Sequence, residues 1–102
     1  MHTFVEEKLP QVIELCRRHH VDRLELFGSA ATGRFDPESS DIDFLVEYLP
    51  EAKPDYPDVY FDLKRGLETL FRRPVDLVMI NAIRNPYFRR EIEQTRVRLY
   101  AA

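Results

Sequence analysis

Apolar and polar positions along the chain fall into blocks with two different periods. Val5, Leu9, Val12, Ile13 and Cys16 recur every three or four residues with charges between them, the spacing of an amphipathic helix. Pro10 lies inside that pattern, so the helix either kinks there or begins there with proline in its first turn. From residue 23 the period becomes two. Leu24, Leu26 and Gly28 alternate with Arg23, Glu25 and Phe27, a short strand running into glycine. Ser29 to Thr32 is long enough for one helical turn, closed by Gly33. Residues 41–48 alternate throughout, with Ile42, Phe44, Val46 and Tyr48 on one face and Asp41, Asp43, Leu45 and Glu47 on the other.

Three prolines and several acids mark 49–57 as a surface loop. Pro57 then opens a helix carrying Tyr60, Leu63, Leu67, Leu70 and Phe71 on one face, with Gly66 a weak point within it. Pro74 precedes another apolar run, Val75 to Ile80, interrupted by Asp76. Asn85-Pro86 is an N-cap and first-turn pair for a last helix holding Phe88 and Ile92, and Val97 to Tyr100 reads as an edge strand. The order predicts a mixed α/β (α+β) fold, a small mixed sheet with helices packed on it, as a single domain over 1–102.

Composition narrows the class. Net charge is −3, which disfavours direct nucleic-acid binding, and it is unevenly spread. From residue 84 onward five arginines face Glu91 and Glu93, leaving +3 there and −6 before it. An acidic body suits a cation site. The basic end is either a surface for phosphate or an acidic partner, or a solvated helix face. Cys16 is the only cysteine, so there is no intrachain disulfide and no cysteine-rich zinc site. No apolar run approaches the roughly 20 residues of a membrane span, and the charged N-terminus does not resemble a signal peptide. The expectation is a soluble cytoplasmic protein.

Three features bear on chemistry. On a strand, Asp41 and Asp43 project from one face, where their mutual repulsion is relieved by a shared divalent cation. Asp76 joins them if its strand neighbours theirs, giving the hard oxygen donors that suit Mg²⁺. Gly28 lets the backbone approach a phosphate, and Ser29 offers a hydroxyl and an amide to it. Gly33 lets the turn end tightly, and Arg34 is placed to supply positive charge. Each feature has a plain alternative: a solvent-facing pair of aspartates, an ordinary turn, and an Asp76 paired with Arg72 or Arg73. Their occurrence together, in this order, favours a site.

At these residues LFGSAATGRFDPESSDIDFLV resembles the signature of the DNA polymerase beta-like nucleotidyltransferases: Gly-Ser, a downstream glycine, Ser-Asp-x-Asp including Ser40, and a later strand aspartate. Length and order are similar to the minimal nucleotidyltransferases over nearly the whole chain. The resemblance implies that Gly28, Ser29, Gly33, Arg34 and Ser40 hold a nucleotide triphosphate, ATP being the expected one. It implies that Asp41 and Asp43 bind two metal ions, Mg²⁺ or Mn²⁺, and that Asp76 binds the catalytic one and helps deprotonate the acceptor hydroxyl. Many relatives carry arginine in the turn where this chain has Ala30, Ala31 and Thr32, so Arg34 is the substitute cation. Some small relatives are antitoxins that transfer AMP to a tyrosine of a HEPN-family toxin, which implies such a partner here. Three other readings stay open: a small-molecule (aminoglycoside-type) nucleotidyltransferase acting as a homodimer, an antitoxin that works by binding alone, and a non-catalytic α/β interaction domain.

Overall fold

The computed structural model describes residues 3–32 and 41–102. Pro10 resolves in favour of a beginning: a single turn, α1 (Thr3–Glu6), is followed by a separate helix α2 (Leu9–Arg18) with Pro10 in its first turn. Proline there gives up only an amide that no helical carbonyl would have bonded. Beyond α2 come β1 (Val21–Phe27), the one-turn α3 (Ser29–Thr32) and β2 (Ile42–Tyr48). A 3-10 turn at Pro50–Ala52 lies in the segment expected to be loop, and α4 (Pro57–Phe71) follows. The chain ends with β3 (Val75–Met79), a 3-10 turn at Ile80–Ala82, α5 (Pro86–Thr95) and β4 (Val97–Ala101). Gly33, Arg34 and Ser40 lie outside the described residues, as does His2.

The strands form one mixed sheet in the order β3-β2-β1-β4, with β4 at an edge as expected. β1 runs antiparallel to both β2 and β4, while β2 and β3 are parallel. Parallel neighbours need a crossover, and α4 supplies it. The two faces are covered by different elements. On one, Leu24, Leu26, Ile42, Phe44, Val46, Val75 and Leu77 pack with Val12 and Cys16 of α2 and Leu63, Leu67 and Phe71 of α4. On the other, Phe27 and Leu45 meet Ile83 and the α5 residue Ile92.

Period-two alternation fixes which side chains belong to which face. Because Ile42, Phe44 and Val46 are claimed by the larger core, Asp43 and Leu45 point toward α5. The same logic places Asp76 on the α5 side, between the core residues Val75 and Leu77.

Gly66 has a packing reason rather than a local one. A Cβ there would lie 3.0 Å from Leu15 Cδ2, so glycine lets α4 approach α2 closely. The joint between α4 and β3 is tied by side chains. Glu68 accepts the Val75 N–H at 3.1 Å and Lys64 Nζ at 3.1 Å, and Tyr60 Oη donates to the Leu77 carbonyl at 2.6 Å. These bonds bracket Asp76 and hold its strand in place. Asn85 accepts the Tyr87 N–H at 2.8 Å, the side-chain cap expected of an Asn-Pro start.

Candidate active site

The parallel register sets Asp43 directly beside Asp76, with their Cα atoms paired across β2 and β3. Asp41 lies just ahead of β2, two residues before Asp43, and its charge acts on Asp43. Asp43 is half-buried, whereas Asp41 and Asp76 are exposed. Burial pushes the Asp43 carboxyl up to about 6, assisted by the neighbouring charges of Asp76, Asp41 and Glu91 in that order. Among the described residues, none of Asp41, Asp43 and Asp76 forms an ion pair; every salt bridge lies elsewhere. The alternative pairing of Asp76 with Arg72 or Arg73 is therefore absent. Acids gathered on one face without a compensating base leave uncancelled negative charge.

Gly28 forms the opposite wall. It follows Phe27, the β1 residue paired with Asp43, and has φ +73°. A Cβ on Gly28 would overlap Asp43 Oδ2 and lie 3.4 Å from the carboxyl carbon. Glycine is required here twice over, by its backbone angle and by the carboxylate lying against its α-carbon. The Gly28 carbonyl accepts the Ala31 N–H at 3.2 Å and the Thr32 hydroxyl at 3.3 Å, which folds Ser29 into the head of α3. Ala30 and Ala31 are buried, so long cationic side chains at those two places have no room without moving the turn.

The structure thus brings Gly28, Asp43 and Asp76 together, with Ser29 beside them and Asp41 near enough to act on Asp43. The donor chemistry suits a hard divalent cation, since Asp43 and Asp76 are paired in register and the charge of Asp41 reaches Asp43. Among the described residues, however, no three acidic, histidine or cysteine groups are preassembled around a point where a metal ion would sit. The acids are neighbours, not a finished cage.

Four residues near the site carried no signal in the sequence. Glu91 looks like a solvated position of an amphipathic helix, yet its charge reaches Asp43. Thr95 ends the same helix and its Oγ accepts the Gly28 N–H at 3.0 Å. Glu25, buried in β1 at 4% exposure, is gripped by Arg96 through Nε at 3.0 Å and a second guanidinium nitrogen at 2.6 Å. On the α5 side of the sheet, a cavity of about 110 Å³ is lined by Leu45, Ile80, Ile83 and Ile92 together with Arg89, Glu93 and Arg96, and by none of the three aspartates. It is well below the roughly 300–1,000 Å³ of ordinary small-molecule pockets. Cys16 is far from this chemistry: burial pushes its thiol up to about 12, which leaves it unreactive.

The chain is similar to known proteins over most of its length. A protein of Methanocaldococcus jannaschii provisionally named a protein adenylyltransferase is 34% identical, covering 84% of this chain and 92% of its own. A second protein of that organism, with the same provisional name, is 40% identical over 78% of each chain. A solved structure described as a minimal nucleotidyltransferase superposes with TM-score 0.75 at 28% identity, over 95% of both chains. A chain from the complex of a tri-AMPylated Shewanella oneidensis HEPN toxin with its MNT antitoxin superposes with TM-score 0.65 at 19% identity, over 95% of this chain and 72% of that one, a likeness of fold. The model of the nucleotidyltransferase domain matches residues 9–99, nearly the full length, and takes in the Gly28 turn and all three aspartates. The chain therefore belongs to the nucleotidyltransferase domain family.

Proposed function

We propose that the protein transfers AMP from ATP to a tyrosine hydroxyl of a partner of the HEPN toxin family, and thereby acts as that toxin's antitoxin. The observation that carries the reading is the in-register pair Asp43 and Asp76, with the charge of Asp41 acting on Asp43 and Gly28 pressed against Asp43. The provisional names of the archaeal relatives support protein as the acceptor. The toxin–antitoxin complexes that share the fold support the kind of partner. The exposure of Asp41 and Asp76 supports an acceptor brought by a second molecule. In this reading residues 1–102 act as one catalytic unit.

The roles follow from position. Ser29 would contact the triphosphate through its hydroxyl and backbone amide, next to the Gly28 that lies against Asp43, and the resemblance adds Gly33, Arg34 and Ser40 as nucleotide contacts. Asp41 and Asp43 would hold divalent cations, Mg²⁺ or Mn²⁺, with Asp76 contributing to the one nearer the acceptor. Bound there, the ions supply charge neutralisation at the phosphates. Asp76 is exposed and accepts the proton of the attacking hydroxyl. The acceptor oxygen forms a bond to the α-phosphorus as the bond from that phosphorus to the bridging oxygen breaks. AMP remains on the acceptor and pyrophosphate leaves.

The test is intact mass spectrometry after incubation with ATP, Mg²⁺ and the partner toxin. One or more AMP units should appear on the toxin and be absent with the Asp41→Ala/Asp43→Ala variant. Tight complex formation without an adduct would establish inhibition by binding alone. Transfer undiminished in the double variant would remove the metal assignment.

A further inference from the structure

We infer that Thr95 is a positioning residue for the transfer reaction, acting through Gly28; this deepens the functional reading above and rests on it. Thr95 is the last residue of α5 and stands 67 positions from Gly28 in sequence. Its Oγ accepts the Gly28 N–H at 3.0 Å, and its own proton is donated to the Glu91 carbonyl at 3.1 Å. The hydroxyl is thus oriented by its helix, with its oxygen turned to accept from the Gly28 amide.

That amide belongs to the residue whose α-carbon lies against the Asp43 carboxylate. Gly28 is also the residue at which β1 turns, at φ +73°, into Ser29. Glycine is conformationally loose, and a turn that must hold both a carboxylate and a phosphate contact needs an external fastening. Within the described residues Thr95 gives Gly28 its one side-chain hydrogen bond to the amide. The fastening is itself held from below. Arg96, the next residue, closes α5 with its N–H to the Ile92 carbonyl at 2.8 Å and clamps Glu25 on β1. The end of α5 is therefore fixed at two points three residues apart, Glu25 within β1 and Gly28 just after it, and Thr95 carries that rigidity to the turn. Displacements of about 1 Å in such settings can cost on the order of a hundredfold in rate.

The hydroxyl can be separated from packing by comparing Thr95→Val, which keeps the shape and loses the acceptor, with Thr95→Ser, which keeps the hydroxyl. Nucleotide KM and kcat for transfer to the partner are measured for both, together with hydrogen exchange at the Gly28 amide. The expected result is a fall in kcat of about tenfold or more for Thr95→Val. Its nucleotide KM should change by less than about threefold, with Gly28 exchange faster by about tenfold. Thr95→Ser should stay within about twofold of the parent in all three. Equal turnover in Thr95→Val and the parent would overturn the inference. So would equal damage in both variants, since the methyl group and not the hydroxyl would then matter. A parent protein that transfers nothing defeats the functional reading itself, and accelerated exchange in Thr95→Val would then assign the bond to folding alone.

Discussion

Asp43 is held in a state that costs folding free energy. Its carboxyl is pushed up to about 6 by burial first and then by Asp76, Asp41 and Glu91, against an ordinary value of 3.8. A raised folded-state value means the charged form is disfavoured in the native protein. Stability from this group is fully present below about 4 and is lost as pH rises through about 6. Asn keeps the shape and removes the charge. In metal-free protein at pH 7, Asp43→Asn should therefore raise stability by about 1 kcal/mol, after allowance for the side chain's partial exposure. The gain should fade as pH approaches about 4, and chemical denaturation at several pH values checks it. The same substitution should abolish transfer, because a neutral amide is a poor ligand for a hard cation. Opposite signs for stability and activity mark a site group, whereas a structural carboxylate would lose both.

Elements that read clearly from the sequence are those whose periods are local. β2 shows strict alternation over 42–48, and α4 carries Leu63, Leu67 and Phe71 at helical spacing, so both appear as expected. Asp41 and Asp43 could be placed on one face from that alternation alone. What joins Asp76 to them is the parallel register of β2 and β3, a pairing across 33 residues that no local pattern encodes. The end of α5 was less legible still. Its charges look like a solvated face, and nothing in Thr-Arg at 95–96 announces that Arg96 reaches across to a buried Glu25. That pair ties the C-terminal helix to β1 and has its own consequence. Removing Arg96 leaves Glu25 at 4% exposure with Arg23, at 3.6 Å, as its remaining cation. Arg96→Met should cost about 2–3 kcal/mol in urea unfolding. Adding Glu25→Leu should recover most of that loss, since the buried charge then disappears with its partner.

At the scale of the molecule, these local costs converge on one end of the sheet. β1 ends there at Phe27, just before Gly28, β2 and β3 begin there one residue ahead of Asp43 and Asp76, and α5 ends there in Thr95. Apolar clusters on both sheet faces hold the four segments, so the acids cannot separate to relieve their repulsion without disturbing β2, whose other face is core. The fold thus stores negative charge at a fixed place, and an added cation is the simplest way to neutralise it. Anything that binds the native state and not the unfolded one raises stability by RT ln(1 + [L]/Kd), about 1.4 kcal/mol at ten times Kd. For a chain of 102 residues that corresponds to a rise in Tm of roughly 6–10 °C. Mg²⁺ or Mn²⁺ with a non-hydrolysable ATP analogue should therefore raise the melting temperature of the parent protein by about that amount, read by differential scanning calorimetry. The Asp41→Ala/Asp43→Ala variant should melt at or above the parent when both are metal-free and should not respond to the cation. A variant that still gains the full shift would place the cation elsewhere on the acidic body, because the two side chains removed are the ones on which the stored charge depends.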